Sequence, residues 1–188
     1  MKTIFTSDCH FQHINIVKGI STWSDTSKCR PFATIEEHNE VILDGINSAA
    51  GPDDRVIIAG DFCFGNHENI PKFRELIICR NVWVVKGNHD HKLWKYHRGC
   101  FQNTTKFIDD LYIDKQKIVI CHYALQVWED NNRGSWMLCG HSHGNLDHTD
   151  DGKILDLCPE DHDYKPWTFE QVKEYMDSRT IVAKDHHK

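Results

Sequence analysis

The sequence has no long apolar run and no excess of positive charge, and each absence excludes a class of protein. No segment reaches the roughly 18 consecutive apolar residues that a transmembrane helix requires. The amino-terminal stretch from Met1 to Phe5 meets Asp8 too early to form the apolar centre of a signal peptide. With 22 basic and 28 acidic side chains, the net charge of −6 argues against a broad basic face for long nucleic acid. We therefore expect a cytoplasmic protein without a membrane partner.

Closely spaced cysteines are also absent. The chain has eight cysteines but no CxxC pair, so zinc-knuckle and thioredoxin chemistry are not expected. In a reducing compartment such thiols stay free and mostly fill the core. We expect the same of the cysteines that stand beside polar clusters, because neighbours along a strand point to opposite faces. These are Cys9, Cys63, Cys121 and Cys139.

What the chain does have is a globular composition and many histidines. Apolar residues make up 39% and aromatic residues 11% of the 188 residues, which is typical of a folded protein. This length predicts one domain over residues 1–182, followed by a polar tail over residues 183–188. The fourteen histidines matter because imidazole is the commonest metal ligand and titrates near neutral pH.

Short runs rich in β-branched residues alternate with helical patterns. The runs predict buried strands over residues 3–6, 55–59, 82–86, 117–121, 136–139 and 153–157. Apolar spacing predicts a helix from Ile35 to Ala49, opened by a capping box of Thr34 and Glu37. Further helices are expected to begin near Pro71 and Thr168. A predicted hairpin around residues 114–116 adds an antiparallel pair, so the predicted class is α/β with a mixed sheet.

Five of the predicted strands run directly into clusters of oxygen and imidazole donors. The clusters are Ser7-Asp8-Cys9-His10, Gly60-Asp61-Phe62, Gly87-Asn88-His89-Asp90, Cys121-His122-Tyr123 and Gly140-His141-Ser142-His143. Because the carboxyl ends of neighbouring strands in an α/β sheet face one crevice, we expect these donors to converge. We expect the preceding glycines to permit the sharp turns at the strand ends.

The donor set indicates a site for two metal ions. Two aspartates, one asparagine and four histidines are too many ligands for one tetrahedral ion, and they suit two ions that share a carboxylate. The mixture of carboxylate, amide and imidazole donors favours manganese, iron or zinc over magnesium or calcium.

The five clusters, in this order, resemble the signature of the calcineurin-like metallophosphoesterase family, which is D-x-H, GD, GNH[DE], a lone H and GHxH. The opening SDCHFQHINI followed by CRPF is similar to a small single-domain bacterial and phage branch, with Gln12 where that branch has glycine. The resemblance extends from Asp8 to His143. It implies two packed mixed sheets flanked by helices, a four-layer α/β sandwich.

The resemblance also assigns each ligand to one of two ions that share a carboxylate. The first ion would be held by Asp8, His10, Asp61 and His143. The second would be held by Asp61, Asn88, His122 and His141, and a hydroxide bridging both ions would attack phosphorus. His89 would act on the leaving-group oxygen as a general acid or cationic stabiliser, and Asp90 would orient its imidazole.

Two further residues are candidates for substrate contact, and both lie in a predicted long loop over residues 11–32. Arg30 could supply a fork for phosphate, although an Arg-Pro junction before a helix can equally be structural. His13, close to the first cluster, could also touch the substrate. Trp128 and Trp136 could stack a base, but core packing is favoured for both.

The sequence therefore predicts a dinuclear phosphoesterase with manganese as its favoured metal. Its predicted substrate is a small phosphorylated compound, a diester or a monoester. A small nucleotide-type diester is favoured, because no cap domain is visible and the net charge disfavours long nucleic acid. The alternatives are a nuclease of the same family and a non-catalytic metal-binding scaffold on the same fold. Retention of all seven ligands and of His89 disfavours the scaffold.

Overall fold

The computed structural model describes residues 1–145 and 152–182, and in these ranges the chain forms nine β-strands and four α-helices. The strands are β1 (Thr3–Thr6), β2 (Arg55–Ile58), β3 (Asn81–Val85), β4 (Asn103–Thr105), β5 (Ile108–Ile113), β6 (Gln116–Ile120), β7 (Trp136–Cys139), β8 (Ile154–Asp156) and β9 (Trp167–Thr168). The helices are α1 (Ile35–Ala49), α2 (Asn69–Leu76), α3 (His91–Tyr96) and α4 (Phe169–Asp177). The predicted polar tail, residues 183–188, lies outside the described residues.

The strands form two mixed sheets. The first has the order β4-β3-β2-β1-β9, in which β1 to β4 are parallel and β9 is antiparallel to β1. The second has the order β5-β6-β7-β8, with an antiparallel hairpin between β5 and β6 and parallel pairs beyond it. The predicted α/β class with mixed sheets, including the hairpin, is confirmed.

Alternation of side chains along the central strands separates two layers of core. Ile4 and Val56 pack with Ile42 of α1, in a cluster that also includes residues of α2 and α3. Phe5 and Ile57, one residue further along, pack against β6 and β7 of the second sheet. Because both faces of the first sheet are covered, its central strands β2 and β3 are apolar at nearly every position. The two sheets therefore pack face to face, with α1, α2 and α3 outside the first.

The outer face of the second sheet is covered by the segment between β6 and β7. Val119 and Met137 pack there against Trp128, while Trp136 packs between the sheets beside residues of α4. Both tryptophans are buried core residues, as the sequence favoured. None of the helices in the two described ranges is both long and apolar enough to cross a membrane.

Capping signals set the helix boundaries. α1 spans the predicted range, and Thr34 Oγ1 accepts a hydrogen bond from the Glu37 N–H at 3.1 Å. The Glu37 carboxylate accepts from the Ala33 N–H at 2.7 Å rather than from Thr34, so the predicted box is shifted by one residue on that side. α4 has the complete box between Thr168 and Gln171.

Candidate metal centre

The predicted donors lie together at one end of the two sheets. In the first sheet, the loop after β1 carries Asp8 and His10, the loop after β2 carries Asp61, and the loop after β3 carries Asn88. In the second sheet, the loop after β6 carries His122, and the loop after β7 carries His141 and His143. Backbone pairing continues from β1 and β2 into these loops, since the Asp8 N–H donates to Gly60 O and the His10 N–H to Asp61 O, both at 2.9 Å. The strand ends therefore bring distant parts of the sequence to one place.

Left-handed backbone conformation is shared by five of the seven predicted ligands. The angle φ lies between +48° and +73° at Asp8, His10, Asp61, His141 and His143. This conformation costs roughly 1 kcal/mol for a residue other than glycine, so the surrounding fold has to compensate it. On an extended strand end, residues two apart would point the same way. The structure instead alternates left-handed residues, which turns the chain sharply at each ligand pair.

Two of the glycines before the clusters are required by close packing. A Cβ atom at Gly87 would overlap the Asp61 carboxylate, and one at Gly140 would overlap the Asp8 carboxylate. Of the three glycines that precede donor clusters, Gly60 alone has a positive φ, +97°. The predicted reason, a sharp turn, therefore holds at Gly60, whereas Gly87 and Gly140 leave room for ligand carboxylates.

Backbone groups hold one oxygen of each aspartate. Asp8 Oδ2 accepts a hydrogen bond from the His141 N–H at 2.9 Å. Asp61 Oδ1 accepts from the His89 N–H, also at 2.9 Å. Each carboxylate is thus fixed in orientation by the loop of another strand, and its second oxygen is directed at imidazole nitrogens.

The spacing of the remaining donor atoms fits metal ions better than hydrogen bonds. Asp8 Oδ1 lies 3.6 Å from His10 Nε2 and 3.7 Å from His143 Nε2. Asp61 Oδ2 lies 3.7 Å from His10 Nε2 and 3.5 Å from His122 Nε2. Two ligand atoms about 2.1 Å from one ion are roughly 3.0 to 3.4 Å apart, close to these separations. Asp8 Oδ1 and His10 Nε2 are also buried without a hydrogen-bond partner, a deficit that a cation would correct.

His122 independently indicates a cation. Its Nδ1 lies 2.8 Å from the Ala59 carbonyl oxygen, a contact that needs a proton on Nδ1. In the neutral ring Nε2 then carries a lone pair, yet it lies 2.8 Å from Asn88 Oδ1, another acceptor. Burial favours the neutral ring, but the neighbouring carboxylates of Asp61 and Asp8 raise the pKa of His122 to about 9. A bound cation would replace the proton that this arrangement otherwise requires.

The donors divide into two clusters. In the described part of the chain, one cluster comprises Asp8, His10 and His143, and the other comprises Asp8, Asp61 and His122. Asn88 adjoins the second cluster through His122, and the ring of His141 lies beside it at 5.1 Å between centroids. Asp61 Oδ2 faces His10 and His122, which the resemblance assigns to different ions. The described donors thus form two adjoining candidate metal-binding groups, which share Asp8.

His89 and Asp90 are adjacent in sequence but point to different surroundings. The side chain of His89 is 40% exposed, lines the pocket, and places Nε2 4.0 Å from Asp61 Oδ2. Asp90 is buried, and its carboxylate accepts hydrogen bonds from the N–H groups of Asp61, Phe62 and Gly87 at 2.8 to 2.9 Å. Asp90 thus joins the loops after β2 and β3. The expectation that it orients the His89 imidazole does not agree with this placement.

His13 lies at the wall of the same pocket. Its ring stacks on Phe64 with 3.7 Å between centroids, and its Nδ1 lies 3.1 Å from His10 Nδ1. Burial and the neighbouring His10 and His89 lower the pKa of His13 to about 3, which keeps the ring neutral. Substrate contact by His13 stays a prediction.

Arg30 lies beneath the donors rather than in the pocket. Its guanidinium, which is fully buried, donates to Asp8 O at 2.7 Å and to Cys9 O at 3.3 Å. It also pairs with Glu160 at 2.8 Å and faces His38 Nε2 at 2.8 Å. Protein atoms take its donors, so a substrate phosphate cannot reach them. The sequence left two roles open for Arg30. This placement contradicts the role as a phosphate fork and supports the structural role.

Sequence reasoning did not single out three residues that shape the site. The pocket has a volume of about 360 Å³. Its rim includes Lys28 and also Trp23, which is half-exposed. Lys28 Nζ donates to Asn145 Oδ1 at 2.7 Å, which joins the predicted long loop to the loop after β7. The third residue, Glu160, contacts His143 from below. A single residue in an aperiodic segment carries no local signal of such a role.

Comparisons with known proteins place this geometry in a family. The sequence profile of the calcineurin-like phosphoesterase superfamily domain matches residues 1–159. An uncharacterized protein of Methanocaldococcus jannaschii is 26% identical over 190 residues, an alignment that covers 96% of this chain and 94% of that protein.

Two solved structures are similar to different degrees. A protein of unknown function from Aquifex aeolicus aligns with a TM-score of 0.63 at 20% identity, over 93% of this chain and 98% of that one, and supports the fold alone. A 5'-nucleotidase precursor from Thermus thermophilus aligns with a TM-score of 0.34 at 10% identity, over 84% of this chain and 40% of that one. The second likeness is too low to carry an argument.

Proposed function

This chain belongs to the calcineurin-like phosphoesterase superfamily, and from that premise we propose that it hydrolyses a phosphate ester with two metal ions. The observation that carries the proposal is the pair of donor clusters, in which Asp8 Oδ1 and His10 Nε2 are buried without a hydrogen-bond partner. In this proposal the first ion is held by Asp8, His10, Asp61 and His143. The second is held by Asp61, Asn88, His122 and His141.

The donor chemistry supports manganese, with iron or zinc as the alternatives, because carboxylate, amide and imidazole ligands occur together. When bound, the ions supply Lewis-acid chemistry, neutralising charge on the phosphoryl group and making water nucleophilic at neutral pH. The chain itself contributes rigidity. The His141 and His89 N–H groups fix the Asp8 and Asp61 carboxylates before any ligand arrives, and Gly140 and Gly87 pack directly on them.

In this proposal, His89 acts on the leaving group. Its ring lines the pocket beside the second donor cluster, its side chain is 40% exposed, and its Nε2 can present a proton to an oxygen bound there. Phe64 packs against the ring at 4.5 Å between centroids and restricts its orientation. We therefore assign proton donation to the leaving oxygen to His89 Nε2. Packing on Phe64, rather than a hydrogen bond to Asp90, positions the ring.

The pocket supports a small phosphorylated substrate with a planar group. Its volume of about 360 Å³ is at the small end of ligand sites, which commonly span roughly 300 to 1,000 Å³. Lys28 is the one lysine or arginine that lines it in the part of the chain that the structure describes. Because the two proposed ions neutralise the phosphoryl group itself, this lysine is available for a second polar or anionic part of the substrate. The exposed face of Trp23 offers a stacking surface for a nucleobase.

The experiment that tests the proposal is a substrate screen of manganese-loaded protein. The panel contains aryl and nucleotide monoesters, linear and cyclic nucleotide diesters, and single- and double-stranded nucleic acid. We expect turnover of small nucleotide diesters, loss of activity with a chelator, and no turnover by the Asp61→Asn variant. Faster cleavage of long nucleic acid would favour the nuclease alternative. Folded, metal-loaded protein that cleaves none of the panel would favour the scaffold.

A further inference from the structure

We propose that Glu160 is a positioning residue that orients His143 toward the first ion, and that Arg30 holds Glu160 in place. The inference rests on the proposed function, because it concerns one of the proposed ligands. Neither residue is a metal ligand in the family signature, and Glu160 lies just outside the residues that the family profile matches, 1–159.

The contact between Glu160 and His143 determines which ring nitrogen is free. Glu160 Oε1 lies 2.6 Å from His143 Nδ1. Because an ionised carboxylate can only accept, the proton of the neutral ring is on Nδ1 and the lone pair is on Nε2. That Nε2 lies 3.7 Å from Asp8 Oδ1, the buried oxygen without a hydrogen-bond partner. Glu160 therefore selects the tautomer whose free nitrogen faces the first donor cluster.

Arg30 ties this contact to the other ligands of the same cluster. Its Nε donates to Glu160 Oε1 at 2.8 Å, and its Nη2 donates to the Asp8 carbonyl oxygen at 2.7 Å. One buried guanidinium thus joins the loop after β1, which carries Asp8 and His10, to the residue that orients the ligand from the loop after β7. The positive charge of Arg30 also balances the carboxylate of Glu160 in a largely buried setting.

A charged partner is expected to matter for metal affinity. A carboxylate accepts a stronger hydrogen bond from imidazole N–H than a neutral amide does, and it increases the basicity of the opposite nitrogen. The Glu160→Gln variant keeps the shape of the side chain but removes its charge. Loss of such outer partners typically weakens metal binding by roughly 10- to 100-fold.

The test measures Mn²⁺ binding to metal-free full-length protein by calorimetry and by electron paramagnetic resonance. For Glu160→Gln we expect the affinity for the first ion to fall 10- to 100-fold, the range typical of such partners. The affinity for the second ion should stay close to that of wild type. Glu40→Gln makes the same chemical change on the exposed side of α1 and is expected to bind both ions as wild type does. Because Glu160→Gln leaves Arg30 buried without a counter-charge, the double variant Arg30→Met/Glu160→Gln is measured beside it.

A folded Glu160→Gln variant, or a folded double variant, that binds both ions with wild-type affinity would overturn this inference. A measurement on the unaltered chain covers the case in which neither variant folds. In zinc-loaded protein with ¹⁵N-labelled histidine, we expect the His143 proton on Nδ1 and the metal on Nε2, and the reverse assignment would overturn the inference. Wild-type protein that binds no ion would overturn the proposed function as well. If wild type binds two ions and the variant binds them with the same affinity, this inference alone is overturned.

Discussion

Arg30 Nη1 lies 2.8 Å from His38 Nε2 in the interior beneath the donor clusters, so a buried arginine faces an imidazole that has to be neutral. His38 Nδ1 lies 3.2 Å from Asn39 Oδ1, which accounts for the ring proton and leaves the Nε2 lone pair for Arg30. Burial, together with the charge of Arg30, lowers the pKa of His38 to about 3. The residues that support the site therefore include a histidine that stays neutral.

We expect His38 to make the protein less stable in acid. Its pKa is about 3 in the folded chain against an ordinary value of 6.5, so the unfolded chain binds more protons between these values. The free energy of unfolding therefore rises with pH through this window, by at most about 1.4 kcal/mol per pH unit for one group. This contribution is present in full above pH 6.5 and is lost as the pH falls toward 3.

The His38→Gln variant tests this expectation, because glutamine keeps an acceptor for Arg30 but does not titrate. Urea unfolding between pH 7 and pH 5 should show a shallower pH slope for the variant than for wild type. Parallel slopes would show that His38 does not contribute to acid sensitivity.

The Asp61→Asn substitution should be the most damaging single change among the ligands. Asp61 Oδ2 faces both His10 and His122, so loss of its charge weakens both proposed sites. His141→Ala, at the edge of the second cluster, should weaken one ion only. Metal content after gel filtration distinguishes the two variants. Two tightly bound ions and near-normal turnover in Asp61→Asn would refute the shared role.

Two transition ions per chain are expected after reconstitution, because the two donor clusters occupy neighbouring positions. A chelator should abolish the proposed activity, and Mn²⁺ should restore it. Elemental analysis of the reconstituted protein provides the count. A stoichiometry of one ion or fewer would rule out the dinuclear arrangement.

The His89→Asn substitution should separate catalysis from metal binding. Both ions should remain, while turnover of an ester with an alkoxide leaving group falls by about 10² to 10⁴, the usual contribution of a general acid. The loss should be smaller for an aryl ester, because a nitrophenolate leaves without a proton. His91→Asn, at an exposed neighbouring position, is the control. Equal losses on both substrates would indicate positioning, and loss of an ion would show that His89 is misassigned.

The Asp90→Asn substitution should reduce stability instead of altering the leaving-group preference. Asp90 accepts hydrogen bonds from three buried N–H groups, and an amide leaves at least one of them without an acceptor. The expected loss in the free energy of unfolding is roughly 1 to 3 kcal/mol. Thermal melting and the ratio of alkyl to aryl ester turnover are measured together. If the ratio changed as it does in His89→Asn, Asp90 would have the role in orienting His89 that the sequence suggested.

Local patterns in the sequence were sufficient for the donors and for most of the elements, whereas the short β4, α3 and β9 were not predicted. β2 carries an unbroken apolar run after Arg55, and Thr34 caps α1 just before Ile35. Both signals arise from residues close together in the chain. The donors were recognisable because each stands directly at the end of a strand. The parallel order of the strands then brings them to one end of the sheets, as the pattern predicts.

Only the tertiary structure decided what supports those donors. Arg30 and Glu160 are 130 positions apart and meet in the interior, and no local pattern indicates which of the many charged residues will pair there. Asp90 was expected to serve its neighbour His89, but its carboxylate turns inward because the N–H groups of two loops converge on it. Sequence order determines which side chains stand at a strand end, whereas long-range packing determines which groups are close enough to orient them.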